Sequence, residues 1–100
     1  METIVRLEQT LDERKRNTTG SLASKLVATP KLASSKFAEE SSEFFAAVRG
    51  EDEARVVSEA ADLVFALLCC LASRGVSFAA VAGELGARQS GYKQEGGSKW

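Results

Sequence analysis

Residues 53–75 of this 100-residue chain read EARVVSEAADLVFALLCCLASRG, and this stretch decides the fold. Its apolar residues recur at spacings of three and four from Val56 to Leu71, which predicts one long α-helix that ends at Gly75. Asp62 is the only charged side chain between residues 60 and 72. A helix that is apolar nearly all round must be covered on every side. We therefore predict an all-α bundle that a second copy of the chain completes as a homodimer, or a larger bundle formed between subunits.

The rest of the chain predicts more helices around this one. An amphipathic helix covers about residues 2–16, and Ser21 can cap a short helical turn. Thr29-Pro30 begins a helix that runs to about Arg49, and Gly50 ends it. Because the loop at Gly50 is short, this helix and the next form a central antiparallel hairpin. With a short last helix from Ser77, the domain has four to five helices in residues 1–88, followed by a flexible tail at 89–100.

The composition narrows the class of protein. The chain has no histidine, and its two cysteines, Cys69 and Cys70, are adjacent in an apolar run. We predict core thiols rather than a disulfide or a zinc site. Residues 1–16 lack the apolar core of a signal peptide, and the apolar run interrupted by Asp62 is too short to cross a bilayer. We expect a cytoplasmic protein that binds neither a membrane nor nucleic acid.

The charge of the chain is unevenly distributed. Residues 1–36 carry seven Lys or Arg against four Asp or Glu, whereas residues 37–62 carry eight acids against two Arg. A basic segment beside an acidic one is typical of a site that holds metal and phosphate together. Solvated helix faces give the same counts, so both explanations stay open.

Two acidic motifs lie on the predicted hairpin: Glu39-Glu40-x-x-Glu43 and Glu59-x-x-Asp62. Residues three or four apart share a helix face, and an antiparallel hairpin puts the two motifs at similar distances from its turn. Four carboxylates then converge, and they repel one another unless cations bind. Oxygen ligands without His or Cys favour Mg²⁺, with Mn²⁺ as the alternative. Because Asp62 lies in an apolar run, we expect its carboxylate to be buried.

The same acids also have a purely structural explanation. Acid pairs are common on exposed helices, and Asp62 could form an ion pair with Lys36 or Arg55. Lys36 lies four residues before Glu40 on the same stripe, so it could equally contact a substrate phosphate. Other cations that could contact phosphate are Arg14, Lys15 and Lys25.

The order of these motifs resembles the phosphoribosyl-ATP pyrophosphohydrolase family of the all-α NTP pyrophosphohydrolase (MazG-like) superfamily. The superfamily pattern, E-E-x-x-E and then E-x-x-D, is matched by residues 39–43 and 59–62. Flanking motifs resemble the histidine-biosynthesis branch: RK at 14–15, GS-x-x-x-KL at 20–26, EAADL at 59–63 and LA-x-x-GVS at 71–77. The resemblance covers residues 4–88.

The resemblance implies a dimeric enzyme that cleaves phosphoribosyl-ATP to phosphoribosyl-AMP and pyrophosphate with Mg²⁺, the second step of histidine biosynthesis. In many organisms this domain is fused to a cyclohydrolase or a dehydrogenase, so the chain could be one domain of such a protein. Carried over by position, the implied metal ligands are Glu40, Glu43, Glu59 and Asp62. The implied catalytic acid is Glu39, and the implied phosphate contacts are Arg14, Ser21, Lys25 and Lys36.

The chain departs from the family pattern at three places. Phe65-Ala66 stands where many relatives have Tyr-His, Leu22-Ala23 replaces Tyr-Thr, and Ser34-Ser35 replaces charged residues. Two alternatives to the phosphoribosyl-ATP enzyme stay open. One is a MazG-like hydrolase of (deoxy)nucleoside triphosphates, and the other is a non-catalytic helical dimerisation module, which the apolar helix and Ala66 favour.

Overall fold

Five α-helices follow one another along the chain. The structure is a computed structural model that describes the backbone of residues 1–94 and the side chains of residues 1–89. The helices are α1 (Glu2–Arg16), α2 (Leu22–Ala28), α3 (Pro30–Val48), α4 (Glu53–Ser73) and α5 (Phe78–Gln94), and the described residues include no strand. The predicted all-α class is therefore confirmed. Helices α3 and α4 form the central hairpin, and α1 and α2 pack against it.

The helix boundaries follow from local chemistry. Ser21 accepts a hydrogen bond from a backbone N–H in the first turn of α2, and Asp52 does the same for α4. Pro30 occupies the first turn of α3, where a residue without an N–H loses no helical hydrogen bond. Gly75 follows α4 with a φ of 68°, a left-handed conformation that glycine adopts without steric cost. These signals were all visible in the sequence.

The hydrophobic core lies at the open end of the hairpin, away from the α3–α4 loop. Its buried side chains come from four helices: Leu11, Leu26, Val27, Ala33, Leu68, Cys69 and Ala72. Burial raises the pKa of the Cys69 thiol to about 11, so this residue packs as a small apolar side chain. Both cysteines are free, and the prediction of core thiols without a disulfide is confirmed for them.

Two charged side chains of α1 hold the turn between α4 and α5. Lys15 Nζ donates to the carbonyl of Ala72 at 2.8 Å, and the N–H of Phe78 donates to Glu8 Oε2 at 2.6 Å. Each charge lies where the dipole of the neighbouring helix favours it. The sequence carries no local signal for either contact, because the partners are 57 and 70 residues apart.

Helix α5 is longer than the sequence predicts. Ser77 accepts a hydrogen bond from the N–H of Ala80, as expected of a cap, but the helix continues to Gln94. Nearly all its described side chains are exposed, so no apolar stripe marked its length. The predicted tail at 89–100 therefore begins inside a helix, and residues 95–100 lie outside the described part of the chain.

The loop end of the hairpin exposes apolar side chains. On α3, Phe45 is 61% exposed and Val48 is 54% exposed, and on α4, Val57 is 65% exposed. By length and composition alone α4 could cross a membrane, so the sequence-based estimate that its apolar run is too short was wrong. Only 22% of that stretch is buried within the chain. The need for further cover on α4, which motivates the predicted dimer, thus persists in the folded chain.

Candidate metal and phosphate site

Carboxylates of α3 and α4 meet along the hairpin. Two groups of acids can each bring one oxygen per residue within 4.8 Å of the others: Glu39, Glu40 and Glu43, and Glu40, Glu59 and Asp62. Glu40 belongs to both groups and joins the two acidic motifs across the helix interface. These five acids are called the carboxylate cluster below.

Burial within the carboxylate cluster differs from the sequence-based expectation. Glu40 is only 4% exposed, whereas Glu59 is half-buried and Asp62 is exposed. The prediction that Asp62 is the buried carboxylate is wrong. Among its neighbours in sequence, Ala66 is buried one turn later, whereas the Asp62 side chain is exposed beside the other carboxylates. The acid that has lost most of its hydration is therefore on α3, not on α4.

Lys36 supplies positive charge to the carboxylate cluster. Its ammonium nitrogen lies 3.3 Å from a carboxylate oxygen of Glu40 and 3.6 Å from one of Glu39. The hydrogen bond with Glu40 raises the pKa of Lys36, so the lysine stays charged. Among the described residues no ion pair joins Asp62 to Lys36 or to Arg55, so the structural ion pair considered for Asp62 is not formed.

The α4 side of the cluster has an excess of negative charge. Loss of solvent around Glu59 raises its pKa, and the charge of Glu43 raises it further. Asp62 acts in the same direction, and Arg55 offsets only part of the effect. A divalent cation relieves this kind of repulsion. All the donors are carboxylate oxygens, which fits Mg²⁺ or Mn²⁺ and not a metal that requires thiolate or imidazole ligands.

The residues predicted to contact phosphate lie in two places, around the start of α2 and in the carboxylate cluster. Arg14 of α1 donates to Ser21 Oγ at the start of α2 over 3.3 Å, so these two residues are in contact. Lys25 is exposed on α2, and Lys36 belongs to the carboxylate cluster. Lys15 instead binds the end of α4. Helix α2 packs on both α3 and α4, which connects the Arg14–Ser21 pair to the hairpin.

Comparison with known proteins identifies the family. The chain matches the sequence model described as phosphoribosyl-ATP pyrophosphohydrolase over residues 4–89. The chain belongs to the phosphoribosyl-ATP pyrophosphohydrolase family. This confirms the family inferred from the acidic and flanking motifs.

Several relatives are named phosphoribosyl-ATP pyrophosphatase. The relative from Cereibacter sphaeroides (strain ATCC 17025) is 41% identical over 102 aligned positions, which cover 97% of this chain and 98% of the relative. The relative from Dinoroseobacter shibae is 41% identical over 92 positions, with 89% of each chain covered. The match to Methanosarcina acetivorans is 47% identical over 60 positions and spans 58% of that relative's length. No solved structure matches the chain significantly.

The departures from the phosphoribosyl-ATP pyrophosphohydrolase pattern lie in different environments. Leu22 is 57% exposed at the start of α2, whereas Ala66, one turn after Asp62, is completely buried. Phe65 is partly buried against the core. Position 66, where the family pattern given above has a polar residue, is therefore buried in this chain.

Sequence reasoning missed one residue beside the Arg14–Ser21 pair. Ser24 is 1% exposed, and its hydroxyl hydrogen-bonds with residues of the α1–α2 loop. A serine three residues after a helix-capping serine is common, so the spacing did not distinguish Ser24 from a surface residue.

Proposed function

We propose that this chain hydrolyses phosphoribosyl-ATP to phosphoribosyl-AMP and pyrophosphate, the second step of histidine biosynthesis, in the cytoplasm. The observation that carries the proposal is the position of Glu40. This carboxylate is 4% exposed and is shared by both acid groups of the hairpin. Lys36 supplies one positive charge against the five acids of the carboxylate cluster, so the site suits a function that brings further cations.

Glu40, Glu43, Glu59 and Asp62 would hold Mg²⁺, with Mn²⁺ as the alternative. When bound, the ion would neutralise the carboxylate cluster together with the phosphate oxygens of the substrate, which stabilises charge as the phosphoanhydride breaks. The overlap of the two acid groups at Glu40 provides positions for one ion or for two neighbouring ions.

The other residues have binding and orienting roles. Glu39 is exposed and held by Lys36, and we assign to it the orientation of the water that attacks between the α- and β-phosphates. Lys36 balances the charge of the buried Glu40 and is close enough to contact a phosphate that reaches the cluster. Arg14, Ser21 and Lys25 would bind the remaining phosphates through charge-assisted hydrogen bonds.

We further propose that the active form is a homodimer. At the loop end of the hairpin, Phe45, Val48 and Val57 are each more than half exposed. Large apolar side chains left in water favour association. A second copy of the chain is the partner that would cover them.

The decisive experiment compares Asp62→Asn with Asp12→Asn, an exposed aspartate outside the carboxylate cluster. We expect Asp62→Asn to lose phosphoribosyl-ATP hydrolysis by about 100-fold or more, and to lose the rise of Tm on adding Mg²⁺. Asp12→Asn should keep both. Because Asp62 is exposed, its replacement should leave the fold intact. Full hydrolysis by Asp62→Asn would contradict the role assigned to Asp62, whereas a folded wild-type chain without hydrolysis would favour the non-catalytic dimerisation module.

The same assay separates phosphoribosyl-ATP from other nucleotides. Release of pyrophosphate is measured with phosphoribosyl-ATP and with each deoxynucleoside triphosphate, at equal concentrations and with Mg²⁺. We expect phosphoribosyl-ATP to have the highest kcat/KM. Faster turnover of a deoxynucleoside triphosphate would contradict the proposed substrate and identify a MazG-like triphosphate hydrolase.

A further inference from the structure

A buried serine organises the polar residues where α1 meets α2. Ser24 Oγ accepts from the N–H of Thr19 at 3.1 Å and lies 3.0 Å from Thr19 Oγ1. It also accepts from Ser21 Oγ at 3.3 Å and lies 3.5 Å from the carbonyl oxygen of Arg14. One hydroxyl therefore links the last turn of α1, the connecting loop and the start of α2.

The hydrogen-bonding capacity of Ser24 is used within the chain. A hydroxyl has one proton to donate and two lone pairs that accept. The Thr19 N–H and the Ser21 hydroxyl occupy the lone pairs, and Thr19 Oγ1 and the Arg14 carbonyl are available for the proton. With 1% exposure, Ser24 has neither a free hydrogen bond nor the access to bind a phosphate itself.

Ser21 and Arg14 differ from Ser24 in access. Both are half-buried, and Arg14 donates to Ser21 Oγ at 3.3 Å. The hydroxyl of Ser21 also accepts a hydrogen bond from the backbone N–H of Ser24 at 3.2 Å. The Ser24 hydroxyl therefore contacts Ser21 directly, and it reaches Arg14 through the Arg14 carbonyl and through Ser21.

We propose that Ser24 is a positioning residue for phosphate binding: it fixes Ser21 and Arg14 in the geometry that receives a substrate phosphate. The inference rests on the proposed function, since it assumes that these two residues contact phosphate. Removal of the Ser24 hydroxyl leaves the Thr19 N–H without its partner and frees the loop, so the two contacts lose their preset geometry.

The test uses Ser24→Ala and Ser24→Thr, with Ser73→Ala as the matched control. Ser73 is a half-buried serine whose hydroxyl donates to the Cys70 carbonyl, outside this group of residues. We expect Ser24→Ala to raise KM for phosphoribosyl-ATP about tenfold with kcat nearly unchanged, because a lost binding contact acts alike on substrate and transition state. Ser24→Thr retains the hydroxyl and should restore most of the KM, and Ser73→Ala should have the wild-type KM.

A double-mutant cycle distinguishes positioning from general damage to the fold. In the Arg14→Met background, Ser24→Ala should raise KM much less than in the wild type, because the contact it supports is already absent. An equal increase in both backgrounds, or a wild-type KM in Ser24→Ala, would overturn the inference. Thermal melting is followed for every variant, and activity is compared below the lowest Tm.

A binding measurement separates this inference from the proposed function. Calorimetry gives the Kd of pyrophosphate with Mg²⁺ for the same variants and needs no turnover. If the wild type binds pyrophosphate but does not hydrolyse phosphoribosyl-ATP, the proposed function fails, and a Kd raised in Ser24→Ala still supports positioning. If the wild type neither binds nor hydrolyses, both ideas fail. If it hydrolyses and Ser24→Ala binds pyrophosphate normally, only the positioning role is lost.

Discussion

The two ends of the α3–α4 hairpin are built differently. At the open end, α1 and α2 cover the hairpin, and the core around Val27 and Leu68 is fully buried. At the loop end, Phe45 and Val57 are more than half exposed. The carboxylate cluster lies between these ends. One end of the molecule thus supplies its own stability, and the other presents apolar surface that the described residues leave uncovered.

This difference has a simple physical origin. Helix α1 has 15 residues and α2 has seven, whereas α3 has 19 and α4 has 21. The short helices can cover only part of a longer hairpin, and they pack on the C-terminal half of α4. The covered end therefore holds the fold, and we propose that the remainder of the hairpin binds ions, substrate and a second copy of the chain.

The largest effect is expected from Glu40→Gln, which tests whether the carboxylate cluster binds the metal ion. Because Glu40 is shared by both acid groups, its loss should lower turnover of phosphoribosyl-ATP by about 100-fold or more, and should abolish the Mg²⁺-dependent rise in Tm. Glu84→Gln, an exposed acid on α5, serves as the control. Retention of Mg²⁺-dependent stabilisation in Glu40→Gln would contradict the assignment of the carboxylate cluster to ion binding.

A charged substitution at the loop end of the hairpin should weaken the proposed dimer. We expect Phe45→Glu to raise the dimer dissociation constant by about 100-fold or more, since a buried charge replaces an apolar contact. Val5→Glu, on α1, changes a similarly exposed apolar residue at the other end and should leave association intact. Sedimentation equilibrium over a range of concentrations measures both variants. A wild-type chain that sediments as a monomer, or equal effects of the two substitutions, would contradict the proposed interface.

The electrostatics of the uncovered region predict a pH dependence. The pKa of Glu59 is raised in the folded chain, so between the ordinary value of 4.5 and the raised value the folded state binds more protons than the unfolded state. Without divalent ions, this residue therefore makes stability fall as pH rises through that window. Glu59→Gln should be more stable than the wild type above the window and not below it, and Mg²⁺ should reverse the order.

Thermal melting over about pH 4 to 8, in EDTA and in Mg²⁺, checks this prediction, because raised carboxyl pKa values commonly fall within that range. Glu51→Gln, in the exposed α3–α4 loop, is the control and should follow the wild type. A Glu59→Gln variant that is less stable than the wild type above the window in EDTA would show that the cluster is not under repulsion.

The smallest effect is expected at the covered end. Glu8→Gln weakens the bond to the N–H of Phe78 and should lower the free energy of unfolding by about 1 kcal/mol. Faster hydrogen exchange should be confined to the first turn of α5, while activity stays close to the wild type. Glu2→Gln, an exposed acid on the same helix, is the control. A loss of activity comparable to that of Glu40→Gln would contradict the separation of the two ends.

Much of the site could be predicted because its signals are local. Acids at spacings of three and four define a helix face, and the short loop at Gly50 brings two such faces together. The caps Ser21 and Asp52 and the terminator Gly75 work within a single turn, so they also appear in the sequence. The length of α5 was missed because no apolar stripe marks it.

The all-α class, the hairpin, the five acids and the family all follow from the amino-acid sequence. The folded chain was needed to show which acid is buried: Glu40, and not the Asp62 that its apolar neighbours suggested. It also decided that Ser24 is enclosed by the α1–α2 loop and that Glu8 and Lys15 hold the α4–α5 turn. The physical reason is that burial and long-range hydrogen bonds depend on which helices cover a given side, and that arrangement is set by packing between segments far apart in the chain.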